Sequence, residues 1–335
     1  MNTIIEWIIL TSKVIIFPGI LTLILLAFLL EWFYRKLLAR FQTRIGPQVA
    51  GPFGILQALA DFIKTLSKEE IIPETAHKTI FKYLPFFAPL PVMIGLFMIP
   101  IASEKGFVNS PGDIYLLIFI LSLFAAIQIT LGWASGSRYA LIGAARSGLQ
   151  LVSFGIPLVF SVIVPVMYGK SFDLSKIVEV QAVKHGYLPN WVVFHIVGLL
   201  AFIIFLICGL AELEKVPFDT PEAETEIAGG WTLEYSGRRF AFILLSQELK
   251  EILIVGLAVT LFLGGPTGPT FGATGILKTL LFTVYFVIKC FFVMFLLALF
   301  SASMARLKVS QILEGTWSYL APVSVLTIVL LIIIG

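Results

Sequence analysis

Apolar and polar positions divide this chain into eight long hydrophobic stretches, at about 4–34, 80–102, 113–135, 139–167, 191–212, 238–263, 277–305 and 316–334. A hydrocarbon layer about 30 Å thick is crossed by roughly 20 apolar residues in a helix. Within it, a lone segment can satisfy its backbone groups only by coiling on itself. The pattern therefore predicts an all-α integral membrane protein, one polytopic domain over residues 1–335, with about eight transmembrane helices. A ninth element lies between the first two. In Phe53 to Ser67, apolar Ile55, Leu56, Leu59, Ile63 and Leu66 recur at helical spacing, while Gln57, Asp61 and Lys64 fall on other faces. That is an amphipathic helix, either lying along the membrane interface or packed on the protein as a loop helix. The first apolar run lacks the charged start and cleavage site of a signal peptide and reads as retained.

Composition agrees with this class. Hydrophobic residues make up 59% of the chain and charged residues 13%, with a mean hydropathy of +1.00. Dispersed cations and the lack of a soluble basic domain argue against a nucleic-acid partner and leave the lipid bilayer as the surroundings. Cys208 and Cys290 are the only cysteines and both lie in apolar stretches, too few to hold an iron–sulfur cluster. Of His77, His185 and His195, only His195 falls inside an expected span, so a bis-histidine haem is excluded. No metal site is expected in this chain, and any electron carriers belong to partners. One set of loops carries fourteen Lys or Arg residues, including Arg35, Arg44, Lys64, Lys78, Lys215, Arg238 and Arg306. The other set carries five: Lys105, Lys170, Lys176, Lys184 and Lys278. This bias predicts a multi-pass protein of the cell membrane with the first set cytoplasmic and both termini external.

Charge then marks out one region. Between Ala211 and Gly237 lie seven acids, Glu212, Glu214, Asp219, Glu222, Glu224, Glu226 and Glu234, against a single cation, Lys215. Acids where two spans meet are costly unless a partner, water or moving ions use them. The following span adds Glu248, Lys250 and Glu251. Two readings fit. Buried carboxylates interrupted by lysines can relay protons, because burial moves both groups toward neutral pH. Alternatively, Glu212, Glu214, Glu248 and Glu251 pair with Lys215, Lys250, Arg238 and Arg239 merely to fix helix packing. Lys250 and Glu251 are adjacent and project in different directions from one helix. Lys13, Arg146, Lys250 and Lys289 all fall within spans, so each is expected to have a partner or to reach water; Lys13 can do so by extending toward the nearer surface.

Within the acidic loop, Pro217 and Pro221 restrict the backbone, Asp219 or Thr220 is placed to cap a short helix, and Gly229–Gly230 ends it. With Phe218, Trp231 and Tyr235, a loop of this kind has the character of a docking surface. Gly46–Pro47 and Gly51–Pro52 punctuate the first loop.

Five segments, in order, resemble the subunit 1/H family of respiratory complex I and its membrane-bound hydrogenase relatives. They are RKLLARFQTRIGPQVAGPFGILQALADFIKTLSKE from Arg35, ARSGLQLVSFGIP from Ala145, LAELEKVPFDTPEAETEIAGGWTLEYSG from Leu210, LLSQELKEIL from Leu244 and ARLKVSQILEGTWSYLAPVS from Ala305. The resemblance implies a membrane anchor joining a cytoplasmic redox arm to ion-pumping membrane subunits. It implies an acid-lined path through Glu212, Asp219, Glu222, Glu224, Glu226 and Glu248, and matches Lys289 to a family lysine. Arg35, Arg44, Gln57, Asp61 and Lys64 match the family's first cytoplasmic loop. With Phe218, Trp231, Glu234 and Tyr235 they form the expected docking set, while Glu214, Lys250 and Glu251 join the path on their own charge pattern.

Two departures matter. Quinone-reducing members carry a glutamate in the fourth span where Ser153-Phe154-Gly155-Ile156-Pro157 has glycine. Their Arg-Thr-Leu-Pro stretch after the seventh span is here Ser301-Ala302-Ser303-Met304-Ala305. Both point to a coupling subunit, non-catalytic alone, of a ferredoxin-dependent hydrogenase or sulfane sulfur reductase that moves protons or sodium. Its expected partners are an iron–sulfur small subunit, a hydrogenase-like large subunit with a nickel–iron centre in the hydrogenase case, and antiporter-like membrane subunits. The alternative is the quinone-site subunit of a donor:quinone oxidoreductase. An independent transporter is disfavoured, because residues 1–167 and 168–335 show no internal repeat.

Overall fold

The computed structural model describes residues 15–182, 184–185, 188–270, 272 and 274–334. Lys13 and the first part of the first expected span lie outside these residues. The helices are α1 (Ile20–Phe41), α2 (Gln57–Leu66), α3 (Lys78–Phe87), α4 (Pro89–Met98), α5 (Asp113–Ala134), α6 (Arg138–Gly169) and α7 (Leu174–Ala182). They continue with α8 (Ile196–Glu212), α9 (Glu224–Ile227), α10 (Gly237–Phe262), α11 (Ile276–Ser303), α12 (Val309–Gly315) and α13 (Ala321–Ile334). Between α7 and α8, Lys184–His185 pairs with Leu188–Pro189 as a minimal antiparallel ladder.

Among the described residues, five segments are long and apolar enough to cross a membrane: Lys78–Met98, Asp113–Ala134, Arg138–Gly169, Ile276–Ser303 and Val309–Ile333. The other three expected spans are α1, the 17-residue α8 and the charge-bearing α10. The first of the five is divided into α3 and α4 at Ala88, between Pro85 and Pro89; each proline removes a helical N–H and crowds the preceding turn.

Three boundaries differ from expectation. Helix α8 starts at Ile196, after a single tight turn over Val192–Phe194. His195 therefore sits exposed at the helix entrance rather than inside a span, stacked on Tyr168 with ring centroids 4.9 Å apart. The last helix begins at Val309 rather than 316, because Gln311 Oε1 accepts the Lys308 backbone N–H at 3.0 Å and starts it early. A π-helical turn, Thr316–Leu320, joins α12 to α13. Helix α7 was not anticipated, although Leu174, Ile177, Val178 and Gln181 recur at helical spacing and are all buried.

Helix α10 is the hub. Every residue from Leu249 to Leu263 is buried, and the helix packs on α1, α2, α4, α8 and α11. Only a helix enclosed in this way can carry Lys250 and Glu251, because its neighbours supply them partners that lipid cannot. The outer helices instead leave apolar side chains outward, such as Val284, Ile288 and Phe292 on α11 and Val325 and Ile332 on α13. Helix α2 combines both readings of its sequence: Ala58, Phe62 and Thr65 pack inward, while Leu56 and Ile63 remain exposed.

The two loop sets segregate to opposite ends. At one end His77 N–H meets the Ala134 carbonyl at 2.9 Å, Ile71 N–H meets Ser236 Oγ at 3.1 Å, and Leu307 N–H meets the Pro217 carbonyl at 3.1 Å. At the other, Lys278 meets Glu104 at 3.2 Å. The described start of α1 and the end of α13 lie at this second end.

Candidate functional site

The acidic loop between α8 and α10 folds back onto the bundle. Trp231 is completely buried, and Phe218 and Tyr235 are nearly so. The Tyr235 ring stacks on Phe81 at 4.3 Å and its hydroxyl donates to the Leu131 carbonyl at 2.9 Å. Phe218, Trp231 and Tyr235 therefore anchor the loop and are not presented to a partner, which corrects their expected docking role. Their aromatic area is better satisfied in this chain's own core. Two glycines make the fit. A Cβ on Gly230 (φ +65°) would stand 1.8 Å from the Pro221 carbonyl oxygen, and one on Gly143 of α6 would stand 2.6 Å from the Trp231 nitrogen. Gln150, also on α6, donates to the carbonyls of Ala211 at 2.8 Å and Phe218 at 2.9 Å. The expected cap is not made by Asp219. A tight turn covers Thr220–Glu222 with no side-chain cap, and the Asp219 carboxylate is gripped by Arg306 instead.

Beneath this loop the charges connect. From α2, Gln57 Nε2 donates to Asp61 Oδ1 at 2.9 Å, and Asp61 meets Arg35 of α1 at 3.0 Å. Arg35 meets Glu31 at 2.6 Å. Glu31 and Glu251 of α10 share Lys215, at 3.6 and 2.6 Å, with the Lys215 ammonium 3.6 Å from the Tyr34 ring centre. Alongside this row, Lys250 meets Glu212 at 3.0 Å and donates to its backbone carbonyl at 2.6 Å. Glu214 accepts from Ser147 Oγ at 2.5 Å and Trp231 Nε1 at 3.1 Å. Gln247 Nε2 donates to Glu222 at 2.7 Å.

Of the expected pairings, Lys215 and Lys250 take Glu251 and Glu212, while Arg239 turns to Glu70 at 3.1 Å. Charge leaves α10 in two directions, as the adjacency of Lys250 and Glu251 requires. Buried carboxylate oxygens remain without hydrogen bonds on Glu248 and Glu251.

Within the loop, burial pushes the Glu214 carboxyl above its ordinary range, against the hydrogen bonds it accepts. Burial and the neighbouring Glu214 charge push Glu222 up to about 8. Burial opposes the Lys215 ammonium, but Glu251 and Glu31 outweigh it and hold its pKa above that of an ordinary lysine. The loop thus holds one acid, Glu222, that keeps its proton near pH 7, close to a second raised carboxyl and a fixed cation; such a group can take up and release a proton.

Other expected residues lie at the rim or elsewhere. Glu224 and Glu226 are exposed; Glu226 meets Arg146 at 2.5 Å, so this in-span cation is partnered. Glu234 is partly exposed, and Arg44 and Lys64 are exposed. Lys289 is not brought into the acid row. It donates to the carbonyls of Leu263, Gly265 and Thr267 at 2.7, 2.8 and 2.9 Å, beyond the other end of α10. Sequence reasoning missed Glu31, Tyr34, Ser147 and Gln247. Glu31 had a legible signal, as the acid four residues before Arg35 on one helix face.

The family profile described as NADH dehydrogenase matches residues 13–332. The chain belongs to this family, the subunit 1/H family of complex I. It is 36% identical over 330 residues to the H subunit of an NADH-quinone oxidoreductase from Dehalococcoides mccartyi (strain CBDB1), covering 97% of this chain and 86% of that one. It is 33% identical over 316 residues to the corresponding H subunit from Bacteroides fragilis (strain YCH46), covering 92% and 87%. Among solved structures it resembles a chain of the membrane-bound sulfane sulfur reductase, an archaeal respiratory membrane complex. That match has a TM-score of 0.81 and 25% identity, and covers 92% of this chain and 96% of the other.

The space a side chain at Gly155 would enter is open. It belongs to a groove of about 520 Å³ between α5 and α6, lined by Leu121, Ala125, Gly148 and Leu151, with Glu212 as its one ionisable wall.

Proposed function

We propose that this chain is the membrane coupling subunit of a multi-subunit oxidoreductase related to complex I. It links a ferredoxin-dependent cytoplasmic module, of the hydrogenase or sulfane sulfur reductase type, to proton or sodium translocation. The carrying observation is the continuous charge row from Asp61 through Arg35, Glu31 and Lys215 to Glu251, with Lys250–Glu212 beside it. Such a row lets a movement at the loop surface change charge inside the bundle. The row lies toward the acidic-loop end of the bundle. From Ile252 to Val259, α10 presents buried apolar residues and no ionisable group. At about 1.5 Å per residue this is roughly 12 Å of barrier. Charge entering here therefore leaves sideways, into neighbouring membrane subunits, which suits coupling rather than transport by this chain alone.

Docking of the peripheral module falls to the first loop, where Ile45, Val49 and Phe53 stand exposed beside Arg44 and Lys64. An apolar patch rimmed by cations marks an interaction surface. Glu212→Gln and Glu248→Gln in the intact complex test the relay: electron transfer with lost ion pumping is expected, and full coupling in both variants would overturn the role. The two curated relatives are named for quinone reduction, and this supports the second reading, a quinone site. Glycine at 155 weighs against it. Inhibition of the purified complex by quinone-site inhibitors would decide for the quinone.

A further inference from the structure

The end of the bundle opposite the acidic loop carries a second pair of acids. Asp113 opens α5 and is fully buried, and Asp173 stands just before α7 at 7% exposure. Since Gly132 of α5 packs on Trp231, Asp113 lies 19 residues away along one helix, about 29 Å from the acidic loop. Several contacts bring the two acids together. Ile114 N–H reaches the Phe172 carbonyl at 3.4 Å, and Ser175 Oγ donates to Asn109 Oδ1 at 2.8 Å. The rings of Tyr115 and Phe172, close to the two acids in the chain, stack at 4.5 Å.

Local backbone groups account for one oxygen of each acid. Ser110 N–H donates to Asp113 Oδ1 at 2.8 Å and Ser175 N–H to Asp173 Oδ1 at 2.9 Å. Asp113 Oδ2 is buried without any hydrogen-bond partner. Among the described residues, no Lys, Arg or His forms an ion pair with either carboxylate. Two buried carboxylates without a counter-charge are costly, and helix N-termini relieve only part of that cost.

We propose that Asp113 and Asp173 bind a hard divalent cation, Ca²⁺ by preference. The donors at hand are oxygens: two carboxylates, the Asn109 and Ser175 side chains, and nearby carbonyls. Oxygen-only sites select Ca²⁺ or Mg²⁺ over zinc or copper. Ca²⁺ tolerates irregular geometry and sheds water more readily than Mg²⁺, as a buried pair requires. With two acids rather than three, the affinity belongs with that of extracellular modules, a Kd of about 10⁻⁴–10⁻³ M. The Lys/Arg bias puts this end on the outer side, where such an affinity is useful. The ion ties the segment before α5 to the segment before α7, and so braces α6, whose far end holds Gln150 and Ser147 against the acidic loop.

The test uses the full chain in nanodiscs of zwitterionic lipid. Ca²⁺ should raise the melting temperature saturably, bind at least tenfold tighter than Mg²⁺, and give no equivalent effect when replaced by Na⁺ at matched ionic strength. Asp113→Asn and Asp173→Asn keep the cap acceptors and should each weaken Ca²⁺ binding tenfold or more; if the first fails to fold, the second decides. Tb³⁺ bound there should luminesce through Tyr115, and Tyr115→Phe should lose that signal while keeping the Ca²⁺ response. No Ca²⁺ response in the unaltered chain, an undiminished response in Asp173→Asn, or a stability that follows pH alone would each overturn the proposal.

Discussion

Lys250→Met removes one charge from a buried pair while keeping most of the stem that packs around it. Lys250 is 2% exposed and Glu212 6%, and their charged atoms stand 3.0 Å apart. At an effective dielectric near 20 the gross attraction at that distance is about 5.5 kcal/mol. The net effect of deleting one partner is smaller, about 3–5 kcal/mol, and most of it reflects the stranded carboxylate rather than the lost bond. The ammonium also gives up the Glu212 carbonyl and its place 4.9 Å from the Phe124 ring centre. Unfolding of the full chain in mixed micelles, followed by circular dichroism, should register a loss of this size. Lys250→Met/Glu212→Gln should recover about 2 kcal/mol of it or more, since no charge is then left behind. The exposed pair Lys278–Glu104, at a comparable 3.2 Å, serves as a control: Lys278→Met should cost less than about 1 kcal/mol. A loss below about 1 kcal/mol for Lys250→Met, or a double variant in which the two penalties simply add, would refute the reasoning.

Three further outcomes are expected. Glu222 titrates near 8 because of burial and Glu214, so the folded chain holds a proton there that the unfolded chain gives up near 4.5. Stability should therefore fall as pH rises from about 4.5 to 8, by less than about 1.4 kcal/mol per unit because the residue is partly exposed, and level off above. Melting temperatures measured from about pH 6 to 9 should show that slope shrinking in Glu222→Gln. Gly143→Ala gains up to about 1 kcal/mol of helix propensity but drives a methyl to 2.6 Å from the Trp231 nitrogen; a net loss of about 1–3 kcal/mol is expected in the same unfolding assay. Trp231→Phe leaves a buried Glu214 oxygen without its 3.1 Å donor and should cost about 1–3 kcal/mol, read as a lower unfolding free energy by circular dichroism.

Several features were legible in the residues because they depend on short-range pattern. Long apolar runs specify spans wherever lipid surrounds them, so α5, α6 and α11 fall within a few residues of expectation. The start of the last helix was misplaced because its first turns, around Lys308 and Gln311, are polar and held by a cap rather than by hydrophobicity. The acidic loop was legible as a charge anomaly. Its fold was not, because aromatic residues next to acids fit a docking face and a buried anchor equally well until neighbours such as Phe81, Leu131 and Gly143 are known.

By itself, then, the order of residues determined the membrane class, the eight-span plan, the segregation of cations and the family, since each depends on composition and spacing along one chain. Tertiary structure decided which acid meets which cation. Glu31 reaches Lys215, which also holds Glu251, Lys250 reaches Glu212, and Lys289 goes to three carbonyls away from the row. Charges buried in a low-dielectric interior must find partners within a few ångströms, and those partners come from helices distant in sequence that only packing brings together.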